Sequence, residues 1–235
     1  MLLLPEGGRG EVTLLDTLGY NERAELLAAL RAHGIAGSDV DAVFLSHFHF
    51  DHAVNYRLFP NATIYLHERE LHYARSEWER DLAVPIELLA DLEGTGRLEL
   101  LSGAEGTVLG LEWLLTPGHT AGLCSLLVRE AGGVTALASD AVKHRGELVA
   151  GESQMAWDRA ASRKSIARLL ELADLVIPGH DAPVAILGPQ QPPAAGDLEA
   201  RGGHRLRPQR AAGVEVHLAE GVPGAKRSWR LRLED

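Results

Sequence analysis

The 235-residue sequence lacks the features that mark several classes of protein. It has a single cysteine, Cys124, so it contains no internal disulfide, and a lone thiol in an apolar stretch is compatible with a reducing compartment. No run approaches the roughly 18 to 20 apolar residues that cross a bilayer, and the opening MLLLPEGG is too short for a signal peptide. We therefore expect a cytoplasmic protein with no membrane span.

Positive charge is scarce over most of the chain. There are 23 lysine and arginine residues against 33 aspartate and glutamate residues, which gives a formal net charge of -10. Binding of nucleic acid by counterion release needs a clustered positive surface, so a nucleic-acid partner is not expected. Residues 201–235 differ, with eight basic against four acidic side chains, and we interpret them as a solvated basic face. A small-molecule substrate is the expected partner, and the sequence does not indicate an oligomeric state.

Short apolar runs bounded by glycine, proline or aspartate alternate with amphipathic segments. This alternation predicts an α/β protein in which sheets are covered by helices. Gly34 is well placed to end the first helix. The predicted strands are 12–15, 42–45, 63–66, 111–115, 123–128, 134–138 and 175–177, and the predicted helices are 22–33 and 159–172.

The composition divides the chain into three parts. Residues 1–188 are expected to form the main domain. Residues 189–212 are rich in proline, glycine and arginine, which predicts a linker or loop. In residues 213–235, GVEVHLAE and RSWRLRLED alternate apolar and polar side chains, so we expect two closing strands that pack on the same domain.

A charged helical segment, residues 67–90, interrupts the rhythm of short strands. It is predicted to be either a lid over a site or a helical hairpin on the surface. His67 and Glu68 invite comparison with the zinc-protease signature, but the next histidine, His72, follows five residues after His67. A shared metal on a helix needs the i, i+4 spacing, so we interpret these residues as surface residues.

The stretch SHFHFDHAVN, residues 46–55, places three histidines and an aspartate within six residues. A specified His-x-His-x-Asp-His occurs by chance in roughly one chain in a thousand of this length. In extended backbone, residues two apart project to the same side, so His47 and His49 can converge on one ion. Asp51 and His52 then face a second position once the chain turns. Zinc accepts imidazole nitrogen and carboxylate oxygen readily, so the stretch predicts four metal ligands.

Three further candidate ligands lie downstream. His119 in LLTPGHTAG, Asp140 in ALASDAV and His180 in LVIPGHDAP each follow directly on a predicted strand. Residues just past the carboxyl ends of strands gather at one edge of such sheets. Gly118 and Gly179 allow the backbone to approach closely there. The combined pattern predicts one metal site built from seven side chains.

The motifs HFHFDH, TPGHT, SDA and PGHD, in this order and spacing, resemble the metallo-β-lactamase superfamily over residues 12–183. The resemblance implies an α/β fold, a four-layer αββα sandwich with a dinuclear site where the two sheets meet. It also implies how the ligands divide. The first ion would be bound by His47, His49 and His119, the second by Asp51, His52 and His180, and Asp140 would bridge both.

The resemblance implies a further carboxylate near the site. Asp16 in LLDTL matches the family's aspartate after an early strand, where it orients ligands rather than binding metal. The family usually reads Asp-Thr-Gly, whereas this chain has Leu18 before Gly19, so we expect the turn to differ. Little sequence precedes Val12 for the family's opening strand pair. We expect strands at 214–218 and 229–233 to close that sheet edge.

The predicted site suggests hydrolysis. Two divalent ions that share a water molecule lower its pKa and hold a hydroxide for attack on carbon or phosphorus. We therefore expect a dinuclear metal-dependent hydrolase that uses a metal-bridging hydroxide. Asp51 would be the catalytic residue, orienting the hydroxide and relaying a proton to the leaving group. The expected cofactors are two divalent metal ions, zinc first, with manganese or iron as alternatives.

The position of Asp140 separates branches of the family. True β-lactamases typically lack an aspartate there, so the resemblance points to carboxylic esters, lactones or thioesters, and is closest in motif to acyl-homoserine-lactone lactonases. Those lactonases carry a tyrosine shortly afterwards, where this chain has Val142, Lys143 and His144, and Lys143 or His144 is a candidate substrate contact. The alternative is a metal-dependent phosphodiesterase or ribonuclease, because residues 162–184 also resemble small superfamily members assigned RNA cleavage. A metal-binding protein without catalysis is disfavoured because no ligand is missing.

Overall fold

The computed structural model describes residues 2–5, 11–130, 133–187, 215–218 and 229–231, with side chains for 11–130 and 133–186. Its strands are β1 (Leu2–Pro5), β2 (Thr13–Leu15), β3 (Ala42–Phe44), β4 (Thr63–His67), β5 (Leu98–Leu101), β6 (Glu105–Val108), β7 (Leu111–Leu115), β8 (Cys124–Glu130), β9 (Gly133–Ser139), β10 (Leu175–Pro178), β11 (Val184–Leu187), β12 (Glu215–Leu218) and β13 (Trp229–Leu231). Its α-helices are α1 (Arg23–Ala32), α2 (Phe50–Ala53), α3 (Glu68–Glu77), α4 (Ile86–Gly94), α5 (Arg145–Ala150) and α6 (Arg159–Leu172). Among these described helices, none is both long enough and apolar enough to cross a bilayer.

The described strands form two sheets. The first has the order β13-β1-β2-β3-β4-β5, and its strands β2 to β5 run parallel. The second has the order β12-β11-β10-β9-β8-β7-β6 and is antiparallel except for the pair β9 and β10. Because parallel strands end at the same edge of a sheet, the loops after β2 and β3 lie together, and so do the loops after β9 and β10.

Three apolar clusters separate four layers of structure. One lies between the first sheet and helices α1, α3 and α4, a second lies between the two sheets, and a third lies between the second sheet and α6. Burial of these side chains is the main force that holds the layers together. Representative members are Leu26, Ile64 and Leu71 in the first cluster, Phe44, Trp113 and Cys124 in the second, and Ile166, Leu169 and Val176 in the third. The predicted four-layer αββα sandwich is confirmed, and Cys124 is buried as expected.

The strongly apolar elements were predicted well. All seven predicted strands and both predicted helices are present, with ends that differ by two residues at most. Gly34 adopts a left-handed φ of 72° two residues after the last residue of α1, which a helix-terminating glycine does without strain. The sequence did not reveal β5, β6 and β11 or the short helices α2 and α5. β5 has exposed side chains on both faces, and β6 is exposed on one face and only half-buried on the other, so both lack the apolar pattern that marks a buried strand.

The first and last described strands, β1 and β13, lie in the first sheet, whereas β12 lies in the second. β1 precedes Val12 and pairs with β2 and with β13 in the first sheet. The other C-terminal strand, β12, pairs with β11 at the edge of the second sheet. The predicted linker 189–212 lies outside the described residues.

The charged helical segment 67–90 lies in the outer helical layer, with one face packed on the first sheet and the other exposed. It contains the end of β4, the helix α3 and the start of α4. Interpretation of His67 as a surface residue was wrong: it is buried, and its Nε2 lies 3.0 Å from the carbonyl oxygen of Gly103. Glu68 and His72 are exposed, as expected. The buried face of α3 includes Leu71, which packs on the first sheet.

Candidate metal centre

All seven side chains predicted as metal ligands lie at one edge of the sandwich. His47 and His49 follow β3, α2 carries Asp51 and His52, and the other three follow strands of the second sheet. Their donor atoms form overlapping groups, in each of which the atoms lie within 4.8 Å of one another. These groups are His47, His49 and His119; His47, His52 and Asp140; and Asp51, His52 and His180.

The rings of His49 and His119 face each other, and the outer nitrogen of each ring, the one that points away from the other ring, makes a hydrogen bond. The Nε2 of His49 lies 2.8 Å from Oδ2 of Asp81, and Nδ1 of His119 lies 3.0 Å from the carbonyl oxygen of Met155. A carboxylate and a carbonyl only accept hydrogen bonds, so both rings carry their proton on the outer nitrogen. The inner nitrogens, His49 Nδ1 and His119 Nε2, are 3.0 Å apart. Two lone pairs at this distance repel each other unless a cation lies between them.

His47 and His52 show the same arrangement through a shared carboxylate. The Nδ1 of His52 donates to Oδ2 of Asp16 at 2.9 Å. The Ser46 hydroxyl also donates to that oxygen at 2.9 Å, so it is free to accept from Nδ1 of His47, 3.0 Å away. Asp16 is buried and binds the Ser46 backbone N–H at 2.7 Å with its other oxygen. The expected orienting role of Asp16 therefore has a direct structural basis.

Buried atoms at the centre fit a metal ion. Within the described residues, His47 Nε2, His52 Nε2 and Asp140 Oδ1 are buried and make no hydrogen bond. An unsatisfied buried polar atom costs about 1–3 kcal/mol, so such a cluster is unfavourable without a ligand. Imidazole nitrogens and a carboxylate are also the donor set that zinc and similar divalent ions accept.

Asp140 lies between the two groups of histidines. Its Oδ1 is 3.4 Å from His52 Nε2 and 3.2 Å from His180 Nε2, whereas its Oδ2 is 3.4 Å from His119 Nε2. Burial opposes ionisation, but the surrounding imidazoles outweigh it and hold the pKa of Asp140 below its usual range. A Cβ on Gly179 would lie 2.2 Å from Oδ1 of Asp140, so the predicted need for glycine here is confirmed.

Asp51 and His180 form the open side of the centre. Their side chains are 35% and 47% exposed, whereas the other predicted ligands are almost fully buried. The Oδ2 of Asp51 lies 3.6 Å from His52 Nε2 and 3.7 Å from His180 Nε2. This side is where a substrate can reach the centre.

The comparison with known proteins agrees with this geometry. A family model described as the metallo-beta-lactamase superfamily matches residues 3–180. The chain belongs to the metallo-beta-lactamase superfamily. It is a hydrolase of that superfamily with a histidine and aspartate cluster suited to divalent metal.

Relatives within the superfamily cover most of the chain. The Xenopus laevis metallo-beta-lactamase domain-containing protein 1 is 33% identical over 183 residues, which span 76% of this chain and 70% of the relative. An N-acyl homoserine lactonase of Bacillus cereus is 27% identical over 183 residues, 75% of this chain and 69% of the relative. The structure of AidC, a dizinc quorum-quenching lactonase, matches with a TM-score of 0.67 and 18% identity over 92% of this chain and 78% of that chain, which supports the fold.

Lys143, one of the two candidate substrate contacts, lies beside the metal centre. Its Nζ is 3.6 Å from Oδ2 of Asp140, and its side chain is 18% exposed. His144, the other candidate, lies at the start of α5. A cation beside the centre can bind an anionic oxygen of a substrate.

The turn after Asp16 differs from the superfamily pattern, as expected. Leu18 stands where glycine is usual, and it adopts a left-handed φ of 59°, a conformation that costs a residue with a Cβ roughly 1–2 kcal/mol. The side-chain amide of Asn55 lies 2.7–3.0 Å from the carbonyl oxygens of Thr17, Leu18 and Gly19. Asn55, the last residue of SHFHFDHAVN, therefore holds this turn against the centre.

Two carboxylates of the charged helical segment contact the centre, and neither was among the residues predicted from the sequence. Asp81 accepts hydrogen bonds from His49 Nε2 and from the Tyr73 hydroxyl at 2.7 Å. The hydrogen bond with His49 holds the pKa of Asp81 below its usual range. Glu70, buried on α3, contacts the loops on both sides of the centre. One signal was available, since Glu70 lies three residues after His67 and four before Ala74, on the face of α3 that is buried.

Proposed function

We propose that this chain is a dinuclear metal-dependent hydrolase of carboxylic esters, lactones or thioesters. The proposal rests mainly on four imidazoles, those of His47, His49, His52 and His119. In each ring one nitrogen makes a hydrogen bond to the surrounding protein, and the lone pairs of the other four nitrogens converge around Asp140. The name of the Bacillus cereus relative, N-acyl homoserine lactonase, supports ester chemistry. The dizinc lactonase of similar fold supports zinc as the first choice of metal, with manganese or iron as alternatives.

Each proposed ligand has a defined place in this scheme. The first ion would be held by His47, His49 and His119, the second by Asp51, His52 and His180, and Asp140 would reach both. Divalent ions bound in this way lower the pKa of water and polarise the oxygen of a scissile bond. The hydrogen bonds that the four buried rings donate to Asp16, Ser46, Asp81 and Met155 keep each ring in one tautomer and orientation.

Two residues on the open side would act on the substrate. Asp51 is partly exposed, and its carboxylate lies within 3.7 Å of two imidazoles, so it can hold a proton and pass it to a leaving oxygen, nitrogen or sulfur. Lys143 can donate to an anionic or developing negative oxygen. We propose Asp51 as the catalytic residue and Lys143 as a substrate contact.

A phosphodiester, including RNA, is the second candidate substrate. Lys143 favours it, because an ammonium beside a metal centre suits a phosphate oxygen as well as a carboxylate. The net charge of -10 disfavours a long nucleic acid. We therefore rank esters first.

The experiment is a substrate-range assay with a matched variant. Wild-type protein, Asp140→Ala and the exposed control Asp39→Ala would be tested on an acyl-homoserine lactone, a thioester, an aryl ester, bis(p-nitrophenyl) phosphate and single-stranded RNA, with metal content measured in parallel. We expect Asp140→Ala to lose one metal equivalent and more than about 100-fold in kcat/KM, and Asp39→Ala to match wild type. Cleavage of RNA alone would favour the second candidate, and full activity of Asp140→Ala would refute the dinuclear mechanism.

A further inference from the structure

Glu70 is a buried carboxylate that joins two loops of the metal centre. Its Oε1 accepts a hydrogen bond from the Phe48 backbone N–H at 2.9 Å. Its Oε2 accepts from the Thr120 hydroxyl at 2.6 Å and from the Gly122 backbone N–H at 3.0 Å. One carboxylate on α3 therefore accepts three hydrogen bonds from donors on two loops.

The positions of these donors relate Glu70 to one half of the centre. Phe48 lies between His47 and His49, and Thr120 follows His119. The first loop leaves β3 of the first sheet, and the second joins β7 to β8 of the second sheet. Glu70 thus ties together, across the two sheets, the loops that carry the three proposed ligands of the first ion.

The second loop rests directly on the helix that carries Glu70. A Cβ on Gly122 would lie 2.0 Å from the Glu70 backbone nitrogen and 2.6 Å from its Cα. The loop therefore has no room to move towards α3, and the hydrogen bonds prevent it from moving away. This close packing makes the separation between the two loops sensitive to the Glu70 side chain.

Packing alone does not account for an acid at this position. Among the described residues, Glu70 pairs with no lysine or arginine, and burial raises the pKa of its carboxyl group. Burying a carboxylate is costly unless hydrogen bonds stabilise it. An apolar side chain of similar size would fill the space at lower cost, but it would leave two backbone N–H groups unsatisfied.

We propose that Glu70 is a positioning residue that sets the distance between the His47–His49 loop and the His119 loop, and thereby the affinity of the first metal ion. The inference rests on the proposed dinuclear function. The hydrogen-bond donors of Glu70 lie on the His47–His49 loop and the His119 loop, and none is Asp51, His52 or His180, so we expect its influence to fall on the first ion. A positioning role predicts weaker binding of one ion, whereas a general effect on folding would weaken the binding of both.

The test is a metal titration of the full chain. Metal-free wild-type protein, Glu70→Gln and Glu68→Gln would be titrated with Zn²⁺ in competition with a chromophoric chelator. Glu68 is exposed on the same helix, so its variant controls for loss of charge. We expect Glu70→Gln to weaken one equivalent by about 10- to 100-fold, the range for residues that support ligands, and to leave the other within twofold. Glu68→Gln should match wild type.

A second variant identifies the route of the effect. Thr120→Val removes one of the three donors without changing the charge of Glu70. If Glu70 acts through this hydrogen bond, the double variant Glu70→Gln/Thr120→Val will raise the Kd of the first ion by less than the product of the two separate fold-changes. Thr120→Val also keeps the test decisive if Glu70→Gln does not fold.

The outcomes separate this inference from the proposed function. Equal weakening of both equivalents, or no weakening of either, would overturn the role of Glu70. A wild-type chain that binds a single equivalent of Zn²⁺ would refute the dinuclear proposal. The role of Glu70 would then be supported if Glu70→Gln binds that equivalent more weakly, and overturned if it does not. A wild-type chain that binds none would overturn both.

Discussion

Replacement of Asp16 by asparagine tests whether the tautomer of His52 controls metal binding. Asparagine has the size of aspartate, but one of its two terminal atoms donates rather than accepts. In the protein, one oxygen of Asp16 faces the Ser46 N–H at 2.7 Å and the other faces His52 Nδ1–H at 2.9 Å. Whichever way the amide turns, its NH2 group meets one of these donors. The Ser46 N–H cannot change its role, so we expect the amide to face His52.

The consequence for His52 follows from its two nitrogens. An amide N–H that donates to Nδ1 moves the ring proton to Nε2, the buried atom that faces Asp140. The ion must then displace that proton or do without this ligand. The loss corresponds to one hydrogen bond to a charged group, about 1.5–3 kcal/mol, or roughly 10- to 150-fold in Kd.

An opposing effect is smaller. Against the cost of burial, the charge and hydrogen bond of Asp16 raise the pKa of His52 to about 9, so in wild-type protein a proton competes with the ion for Nε2. Removal of the Asp16 charge relieves this competition. However, a divalent ion carries twice the charge of a proton and loses about twice the attraction, so weaker metal binding is the net result.

The assay is chelator competition for Zn²⁺ at neutral pH, with circular dichroism to confirm the fold. The exposed variant Asp39→Asn serves as the matched control and should bind like wild type. An Asp16→Asn protein that is folded and binds both equivalents within twofold of wild type would refute the tautomer argument.

Three further predictions concern the remaining contacts. Asp81→Asn should weaken one metal equivalent by about 10- to 100-fold, because the Ala83 N–H, which faces Oδ1 of Asp81 at 3.1 Å, keeps the one amide oxygen and leaves the NH2 group facing His49 Nε2. Unchanged affinity in the same titration would show that Asp81 plays no such part. In metal-free protein, burial lowers the pKa of His119 to about 4, while the pKa of His52 is raised to about 9, against 6.5 for each in an unfolded chain. The free energy of unfolding should therefore fall as the pH drops from 6.5 towards 4, because in this range the unfolded chain takes up a proton on His119 and the folded protein does not. It should also fall as the pH rises from 6.5 towards 9, because here the unfolded chain releases the His52 proton and the folded protein keeps it. Urea unfolding that is independent of pH would contradict this. Leu18→Gly should remove left-handed strain of about 1–2 kcal/mol against an entropic cost of about 0.5–1 kcal/mol, for a net gain of up to about 1.5 kcal/mol and a rise in Tm of up to about 6 °C. Thermal unfolding would check it, and a rise of the same size in the exposed control Leu82→Gly would argue against relief of strain at position 18.

The clustering of the seven proposed ligands was predictable because each has a local signal in the sequence. The spacing of His47, His49, Asp51 and His52 is rare by chance, and His119, Asp140 and His180 each follow an apolar strand. The strands that support them are continuous apolar runs, so their bounds were also close. In this part of the molecule, local sequence and tertiary structure agree.

The contacts of Glu70 and Asp81 were not predictable, because they depend on tertiary structure. Glu70 reaches donors 22, 50 and 52 residues away, and Asp81 reaches a histidine 32 residues away. Several acidic residues share their segment, and composition does not distinguish the buried ones from solvated ones. The mistaken assignment of His67 to the surface has the same cause, since its partner Gly103 is 36 residues away.

The two halves of the centre differ in how firmly the protein holds them. His47, His49 and His119 are buried, and Glu70 and Asp81 brace the loops that carry them. Asp51 and His180 are partly exposed, so water and substrate reach the second half more readily. Rigid, fully paired ligands favour tight and lasting metal binding, whereas an open position is what a reaction with an external molecule requires. We infer that the charged helical segment secures the metal on the buried side, and that residues around the open side, with Lys143 foremost, decide which bond is cleaved.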